Sequence, residues 1–375
     1  MAARTDITKL RARIDDLDRR IVKLINERAK VAIRIGQTKR KNDTPVFAPD
    51  REEKVLRKVS RLTEEHGVLS PAAIRHVYSE VISACRSAES HMTIAFLGPR
   101  GTFSHRAAKA ARETVSLARH AARRRFGSSV DLQPVSGIDA VFAVVAQGRA
   151  EYGVVPIENS TEGGVGATLD MFMETDLKVC AEVLVNVHHS LMTKCNPRAI
   201  KKIYSKAEVF GQCKGWLANH FPEAQLIEES STAHAAELAA RTKDSAAIGH
   251  EETAQIYDLA VLHRAIEDNP FNMTRFYVIG REDSPPTSGD KTSILCFIKD
   301  QPGALHHILL PFWRSEINLT KIESWPSKRK AWDYCFFIDF EGHHTEERVQ
   351  KALDKVRDNC SDMKVLGSFP AARQA

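Results

Sequence analysis

Residues 153–166 read GVVPIENSTEGGVG, and the order of residue types in that stretch decides the fold class of half the chain. An apolar run over 152–157, spaced as a β-strand, passes directly into Glu158, Asn159, Ser160 and Thr161, and Gly163, Gly164 and Gly166 follow. A strand that ends in small polar side chains delivers them to a cleft of an α/β domain. The glycines let the backbone turn and expose its N–H groups, and the apolar run 165–173 can open a helix suited to an anion. Alone, the stretch also fits an ordinary strand-turn-helix connection. The sequence on either side decides between the two.

The chain has 375 residues, 43% hydrophobic and 27% charged, with a formal net charge of +6. That length holds two or three domains with proper cores. Lys and Arg are spread along the chain rather than gathered in a tail or an aromatic-flanked patch, which favours small anionic ligands over nucleic acid. The N-terminus is charged from Arg4 onward, and no run approaches the roughly 20 apolar residues needed to cross a bilayer. A cytoplasmic protein with no membrane partner is expected. The seven cysteines are scattered, odd in number and form no CxxC pair, so reduced thiols are expected. Adjacent His pairs at 188–189, 306–307 and 343–344 point to different faces of a strand or helix, and neither metal nor cofactor is expected.

Outward toward the N-terminus, Ile7, Leu10, Ile14, Leu17, Ile21 and Leu24 alternate by three and four, continuing to Val31 and Ile35. One long helix with a coiled-coil-like seam follows. Roughly 35 residues make a rod of about 50 Å, too long to bury its stripe against one short domain, so a partner chain is expected on the other face. Arg28 falls where the seam should be apolar, Arg11 sits at its edge, and Lys39 lies on the last turn. A lone arginine there also fits a snorkelling side chain; several in one seam point to a buried anion. Thr44-Pro45 breaks the rod, a second helix spans 50–66 and stops at Gly67, and Ser70-Pro71 opens a third that runs to about Ser90.

Leu10-Arg11, Leu17-Asp18, Glu27-Arg28, Lys39, Pro45-Val46 and Asp50-Arg51-Glu52 resemble the helical chorismate mutase family. The resemblance implies an interlocked dimer in which Arg11 of one protomer, with Arg28 and Arg51 of the other, grips the carboxylates of chorismate. It further implies that Lys39 and Glu89 bond the ether oxygen and Glu52 the hydroxyl, with Cys85 at a position where serine is common and Ala48 where aspartate is. The rearrangement to prephenate is pericyclic and needs no nucleophile, only a folded dianion and stabilised charge at the breaking C–O bond. Arginine suits this, because its fork matches carboxylates bidentately and stays charged.

From Met92 the pattern changes to short strands separated by helices. A strand at 93–97 leads into GPRGTFSHRAA (98–108), with Thr102 in the glycine loop. A strand near Val130, a helix over 137–147 and the stretch quoted first complete one lobe, and strands over 179–187 lead to a second. That lobe carries IYSKAEVFGQC, with Ser205 and Gln212, and SSTAHAA, with Ser231 and Thr232 at a helix start. NMTRFYVIG (272–280) then sets Thr274, Arg275 and Phe276 on a strand. Each hydroxyl also fits a simple helix cap. The five motifs together resemble prephenate dehydratase, whose two lobes are like those of periplasmic binding proteins. The resemblance implies Thr274 as proton donor, Asn159, Ser205, Gln212 and Arg275 as substrate and catalytic positions, and Arg275 as an anchor for a carboxylate. Ser160, Thr102, Ser231, Thr232 and Phe276 are expected to line the same cleft.

Residues 281–290 read as a linker, and 291–375 as a βαββαβ module of ferredoxin-like order. PGALHHIL and INLTKIESWP resemble the ACT domain that binds phenylalanine as feedback inhibitor, which points to Gly303, Ala304, Leu305, His306, Glu323 and Ser324. Trp325 stands where that family usually has arginine. The expected whole is therefore an all-α mutase domain (1–91), a two-lobed α/β dehydratase domain (92–280) and an α+β ACT domain. It works as a homodimer or a tetramer, takes chorismate to prephenate and phenylpyruvate, and answers to phenylalanine. Two rivals remain: an arogenate dehydratase, and a non-catalytic ACT-linked sensor of small molecules.

A carboxyl group donates a hydrogen bond to an ether oxygen only when protonated. Mutase turnover is thus expected to fall as Glu89 ionises, and Glu89→Gln to flatten the pH-rate profile. An unchanged profile in that variant would remove Glu89 from the ether oxygen.

Overall fold

A computed structural model of the chain describes residues 2–41, 49–89, 92–98, 117–161, 163–299, 301–330 and 333–372. Helix α1 (Ala2–Lys41) is the predicted rod, and α2 (Pro49–His66) and α3 (Pro71–Glu89) follow it. Proline presets the first turn of both shorter helices. Gly67 stops α2 at φ +68°, its N–H bonded to the Thr63 carbonyl at 2.9 Å, and the Ser70 Oγ caps α3 by accepting from the Ala73 N–H at 3.2 Å. Both α1 and α2 pack on α3. The seam of α1 is left uncovered by its own chain, with exposure from 40% at Leu17 to 63% at Leu24.

The C-terminal end of α3 rests on the next domain. The N–H and Oγ of Ser128 donate to Glu80 Oε2 at 3.2 and 2.6 Å, and the Ser129 N–H donates to Ser83 Oγ at 3.2 Å. Gly127 is needed there twice over: its φ is +76°, and a Cβ would overlap Ser83.

That domain has two α/β lobes. The first is built from β1 (Thr93–Leu97), α4 (Leu117–Phe126), β2 (Asp131–Val135), α5 (Ile138–Ala146), β3 (Tyr152–Asn159), β4 (Gly163–Gly164), α6 (Gly166–Glu174) and β5 (Lys178–Asn186). The second holds β6 (Ser190–Thr193), β7 (Lys202–Ser205), α7 (Ala207–Gln212), α8 (Lys214–His220), β8 (Gln225–Glu228), α9 (Thr232–Arg241), β9 (Ser245–Gly249), α10 (Glu251–Ile256) and β10 (Ala260–His263). The chain then returns to the first lobe as β11 (Met273–Gly280). The first sheet runs β2-β1-β3-β11-β5, with β4 on β3, and the second β10-β6-β9-β7-β8. β11 is antiparallel to both β3 and β5, so the return strand lies between two strands laid down long before it.

The last unit is β12 (Asp290–Ile298), α11 (Ala304–Arg314), β13 (Leu319–Pro326), β14 (Tyr334–Glu341), α12 (Glu347–Asn359) and β15 (Cys360–Pro370), a four-stranded antiparallel sheet in the order β13-β14-β12-β15. β13 pairs with β14 through Trp325 and Pro326, and β15 pairs with β12 from Cys360 to Pro370. One face of this sheet shares a core with the first lobe: Leu295, Phe297, Phe337 and Phe369 pack with Phe142, Phe172 and Tyr277. At Gly367, φ +149°, a Cβ would overlap the Val179 backbone, so β15 and β5 meet main chain to main chain.

Candidate active sites

In the pairing of β3 with β11, Thr274 lies opposite Asn159 and Arg275 opposite Glu158. Successive side chains on a strand leave opposite faces. Thr274 and Asn159 therefore share the cleft face, and Asn159 Nδ2 donates to Thr274 Oγ1 at 3.0 Å. Because Oγ1 accepts this bond, its own proton is left to donate, and the bond stabilises the alkoxide that forms when it does. Thr274 is 7% exposed, which strengthens such a bond by excluding water.

Behind that pair lies a chain of amides that ends on an imidazole. Asn159 Nδ2 also donates to Asn272 Oδ1 at 3.0 Å, Asn272 Nδ2 to Gln212 Oε1 at 2.9 Å, and His189 Nε2 meets the same oxygen at 2.7 Å. With Gln212 Oε1 as acceptor, Nε2 carries the proton. Glu267 fixes the turn that holds this histidine: Oε2 accepts from the His189 N–H and Oε1 meets His188 Nδ1, both at 2.8 Å. Burial alone would raise the Glu267 carboxyl, but the hydrogen bonds from His188 and the His189 N–H outweigh it and hold the group below the usual carboxylate range. Gln212, Glu267 and Asn272, with Thr161, Glu208 and Asp268, line a cavity of about 390 Å³ at this junction of the lobes.

Of these, sequence reasoning singled out Asn159, Gln212 and Thr274 and missed His189, Asn272 and Glu267. Asn272 stands inside NMTRF, and His188-His189 drew notice only as a metal candidate. Among the described residues no group of three His, Cys, Asp or Glu side chains is placed to hold a metal.

Other expected cleft residues are placed differently. Ser205 is fully buried, its Oγ donating to the Ile248 carbonyl at 2.9 Å. Ser231 caps α9 by accepting from the His234 N–H at 3.0 Å, with Thr232 beside it against Gly249. Ser160 bridges the ends of the lobe, donating to the Phe271 carbonyl and accepting from the Met273 N–H. Phe276 is a core residue, packed with Phe96, Phe126 and Val154. Thr102 lies outside the described residues. Arg275 leaves the opposite face from Thr274 and is 9% exposed: Nε bonds Glu182 and Nη1 bonds Asp339 of β14, each at 2.6 Å. Burial would weaken its hold on the proton, but Tyr277, Asp339 and Glu182 reverse this and keep it charged.

In the helical domain Lys39 Nζ lies 3.9 Å from Glu89 Oε1. Gly36 makes room for that pair, since a Cβ there would overlap the Glu89 side chain. Cys85 is buried beside them, Arg28 is half-buried, and Arg11 and Arg51 are exposed. Arg11 lies 17 residues before Arg28 on one straight helix, about 25 Å away, so one protomer does not bring these two guanidiniums together. Glu52 bonds Arg86 of α3 and, at 3.1 Å, Arg125 of α4. Arg86, which the sequence reading passed over, also bonds the Phe126 carbonyl, and burial, more than Glu52 offsets, lowers its affinity for its proton. Ala48 lies outside the described residues.

In the last domain Gly303 starts α11 at φ +79°, with Ala304 buried, Leu305 half-buried and His306 exposed. Glu323 points from β13 onto Gly164, and Ser324 points away from the first lobe. Trp325 lies against Gly166 and donates from Nε1 to Asp170 Oδ1 at 2.9 Å. The motif expected to take an effector therefore touches the turn with which the sequence reading began.

Three family models match in order: chorismate mutase type II over residues 10–90, prephenate dehydratase over 94–284 and the ACT domain over 292–358. The chain is 44% identical to the bifunctional chorismate mutase/prephenate dehydratase of Aquifex aeolicus, covering 98% of each. With that of Pseudomonas aeruginosa it shares 41%, over 99% of this chain and 100% of the relative. Among solved structures it resembles the prephenate dehydratase of Arthrobacter aurescens in complex with L-Phe, with a TM-score of 0.64 and 33% identity over 75% of this chain and 90% of that one.

Asn272→Ala removes the link between Asn159 and Gln212 and leaves polar groups on both sides short of a bond. Dehydratase turnover is expected to fall roughly ten- to a hundredfold, with chorismate consumption by the same protein unchanged. Equal turnover in the folded variant would show that the amide chain does not serve Thr274.

Proposed function

The chain belongs to the bifunctional chorismate mutase/prephenate dehydratase family, and on that premise we propose how its residues divide the work. The protein rearranges chorismate to prephenate, converts prephenate to phenylpyruvate and is inhibited by phenylalanine. The observation that carries the residue assignment is the Thr274–Asn159 pair at 3.0 Å on the cleft face of β11 and β3.

In the second reaction the bond from the ring to the carboxylate breaks and carbon dioxide leaves. The electron pair passes through the ring and expels the hydroxyl on the opposite carbon. Thr274 Oγ–H gives that leaving oxygen its proton, so that water departs and the ring becomes aromatic. Asn159 Nδ2, already bonded to Oγ1, holds the alkoxide left behind, and Asn272, Gln212 and His189 hold Asn159. Aromatisation supplies the driving force, so the protein has only to orient the carboxylates and deliver one proton.

In the first reaction Lys39 and protonated Glu89 take the charge that develops on the ether oxygen, while Arg28 and Arg51 hold the carboxylates. Arg11 comes from a second protomer. Two observations support a homodimer: the uncovered seam of α1 and the length of helix between Arg11 and Arg28. Glu52 bonds the substrate hydroxyl, with its carboxylate also paired to Arg86 and Arg125. The domains divide at 1–91, 92–280 and 291–375, and phenylalanine binds at Gly303–His306 with Glu323 and Ser324. A cytoplasmic setting fits free thiols at all seven cysteines.

Thr274→Val keeps the shape of the side chain and removes its proton. It is expected to lower prephenate turnover at least about a hundredfold while chorismate is still consumed. Retained turnover in a folded variant would assign the proton elsewhere, and faster turnover of arogenate than of prephenate by the unaltered chain would move the substrate to the amino acid.

A further inference from the structure

The two catalytic partners Thr274 and Asn159 face the cleft, and their immediate neighbours, Arg275 and Glu158, are themselves a register pair that faces the ACT domain. Two charged, deeply buried side chains meet this second pair from across the domain boundary. Asp339 of β14, 2% exposed, accepts from Arg275 Nη1 at 2.6 Å and Tyr277 OH at 2.7 Å, and from Ser293 of its own sheet. Lys321 of β13, its side chain 6% exposed, lies 3.2 Å from Glu158 Oε2. The same ammonium lies 2.7 Å from Glu323 Oε2 in the effector motif. Lys291 of β12 meets Glu182, which holds Arg275 Nε, at 3.0 Å. Arg275 Nη1 and Glu158 Oε2, 3.8 Å apart, join the two halves of this network.

The backbone needs such a brace at this point. The ladder between β3 and β11 is irregular immediately after Arg275, where the register shifts before Phe276. A bulge re-aims the side chains beside it, so the orientation of the Thr274–Asn159 and Arg275–Glu158 pairs is not simply continued from the regular ladder on its other side. Proton delivery is sensitive to that geometry: a misplacement of about 1 Å can cost roughly a hundredfold in rate.

We propose that Asp339 and Lys321 of the ACT domain are positioning residues for the dehydratase step, clamping Arg275 and Glu158 from behind so that Thr274 and Asn159 meet across the cleft face. The regulatory domain thereby completes the catalytic one, and the inference rests on the dehydratase reading given above. Lys321 also gives that domain a lever, because a ligand that draws Glu323 aside alters the ion pairs of the lysine that steadies Asn159's neighbour.

The test uses the full-length protein with Asp339→Asn, Lys321→Met and Lys321→Arg, measured on prephenate and on chorismate well below the unfolding temperature of each. The first two variants are expected to lose about tenfold or more in dehydratase kcat, with KM within about twofold of the unaltered chain. Mutase rates stay unchanged, and Lys321→Arg, which keeps the charge, recovers most of the turnover. A cluster that only glues the domains together gives instead a lower unfolding temperature with kcat unmoved, and that result overturns the proposal. Should Asp339→Asn fail to fold, the Lys321 pair decides alone. An unaltered chain inert toward prephenate overturns the dehydratase reading and this inference together, whereas an active chain with unmoved variants overturns the inference only.

Discussion

The antiparallel pairing of β3 with β11 brings together two residues 115 positions apart in the chain, Asn159 and Thr274, and sets their side chains 3.0 Å from one another. An entire second lobe is inserted between them, so the pairing closes a long loop and has to be stable enough to offset that entropy. Burial supplies the stability. β11 lies between β3 and β5 with Phe276 and Val278 under α4 on one face, and Tyr277 against Phe172 and Phe369 on the other. The strand that carries Thr274 is thus an interior strand of its sheet, and both crossings between lobes pass beside it: the Val187 N–H bonds the Asn272 carbonyl at 2.8 Å. A cleft built at such a crossing changes shape whenever the lobes move, which makes it suited both to closing on a substrate and to outside control.

Among the described residues, ion pairs and hydrogen bonds tie the helical domain to the same lobe. Glu52, Arg86 and Arg125 link α2, α3 and α4, and Glu80 holds the turn after α4. A residue expected in the mutase site therefore reaches the dehydratase domain within one ion pair. Breaking a buried ion pair costs about 3–5 kcal/mol, because the remaining charge is left without its partner. The pair that crosses the junction, Glu52 with Arg125, is only partly buried, so its contribution lies below that figure, and the long seam of α1 faces away from the rest of its own chain.

Much of the fold was legible because it is written in periodicities. The three-four alternation of α1, proline at the first turns of α2 and α3, and glycine at 67 all describe local geometry, and the polar end of β3 announces a cleft. Alternation along a strand also bears on NMTRF: Thr274 and Arg275 are neighbours and leave opposite faces, and Arg275 bonds Glu182 and Asp339 on the far side. Phe276 does share the face of Thr274, but one step further in, where the face is core. His189, Asn272 and Glu267 stayed hidden because they lie at the crossings between lobes, where no period marks a residue and only tertiary closure brings the groups together. The role of Trp325 was equally out of reach, since its partner Asp170 lies 155 positions away on α6.

The most direct test of the whole account supplies chorismate alone to the purified protein and follows chorismate, prephenate and phenylpyruvate over time, with and without phenylalanine. The account predicts that chorismate disappears, prephenate rises only transiently, phenylpyruvate accumulates, and phenylalanine slows its formation. Prephenate that accumulates without being consumed, or a time course indifferent to phenylalanine at millimolar concentration, would contradict it.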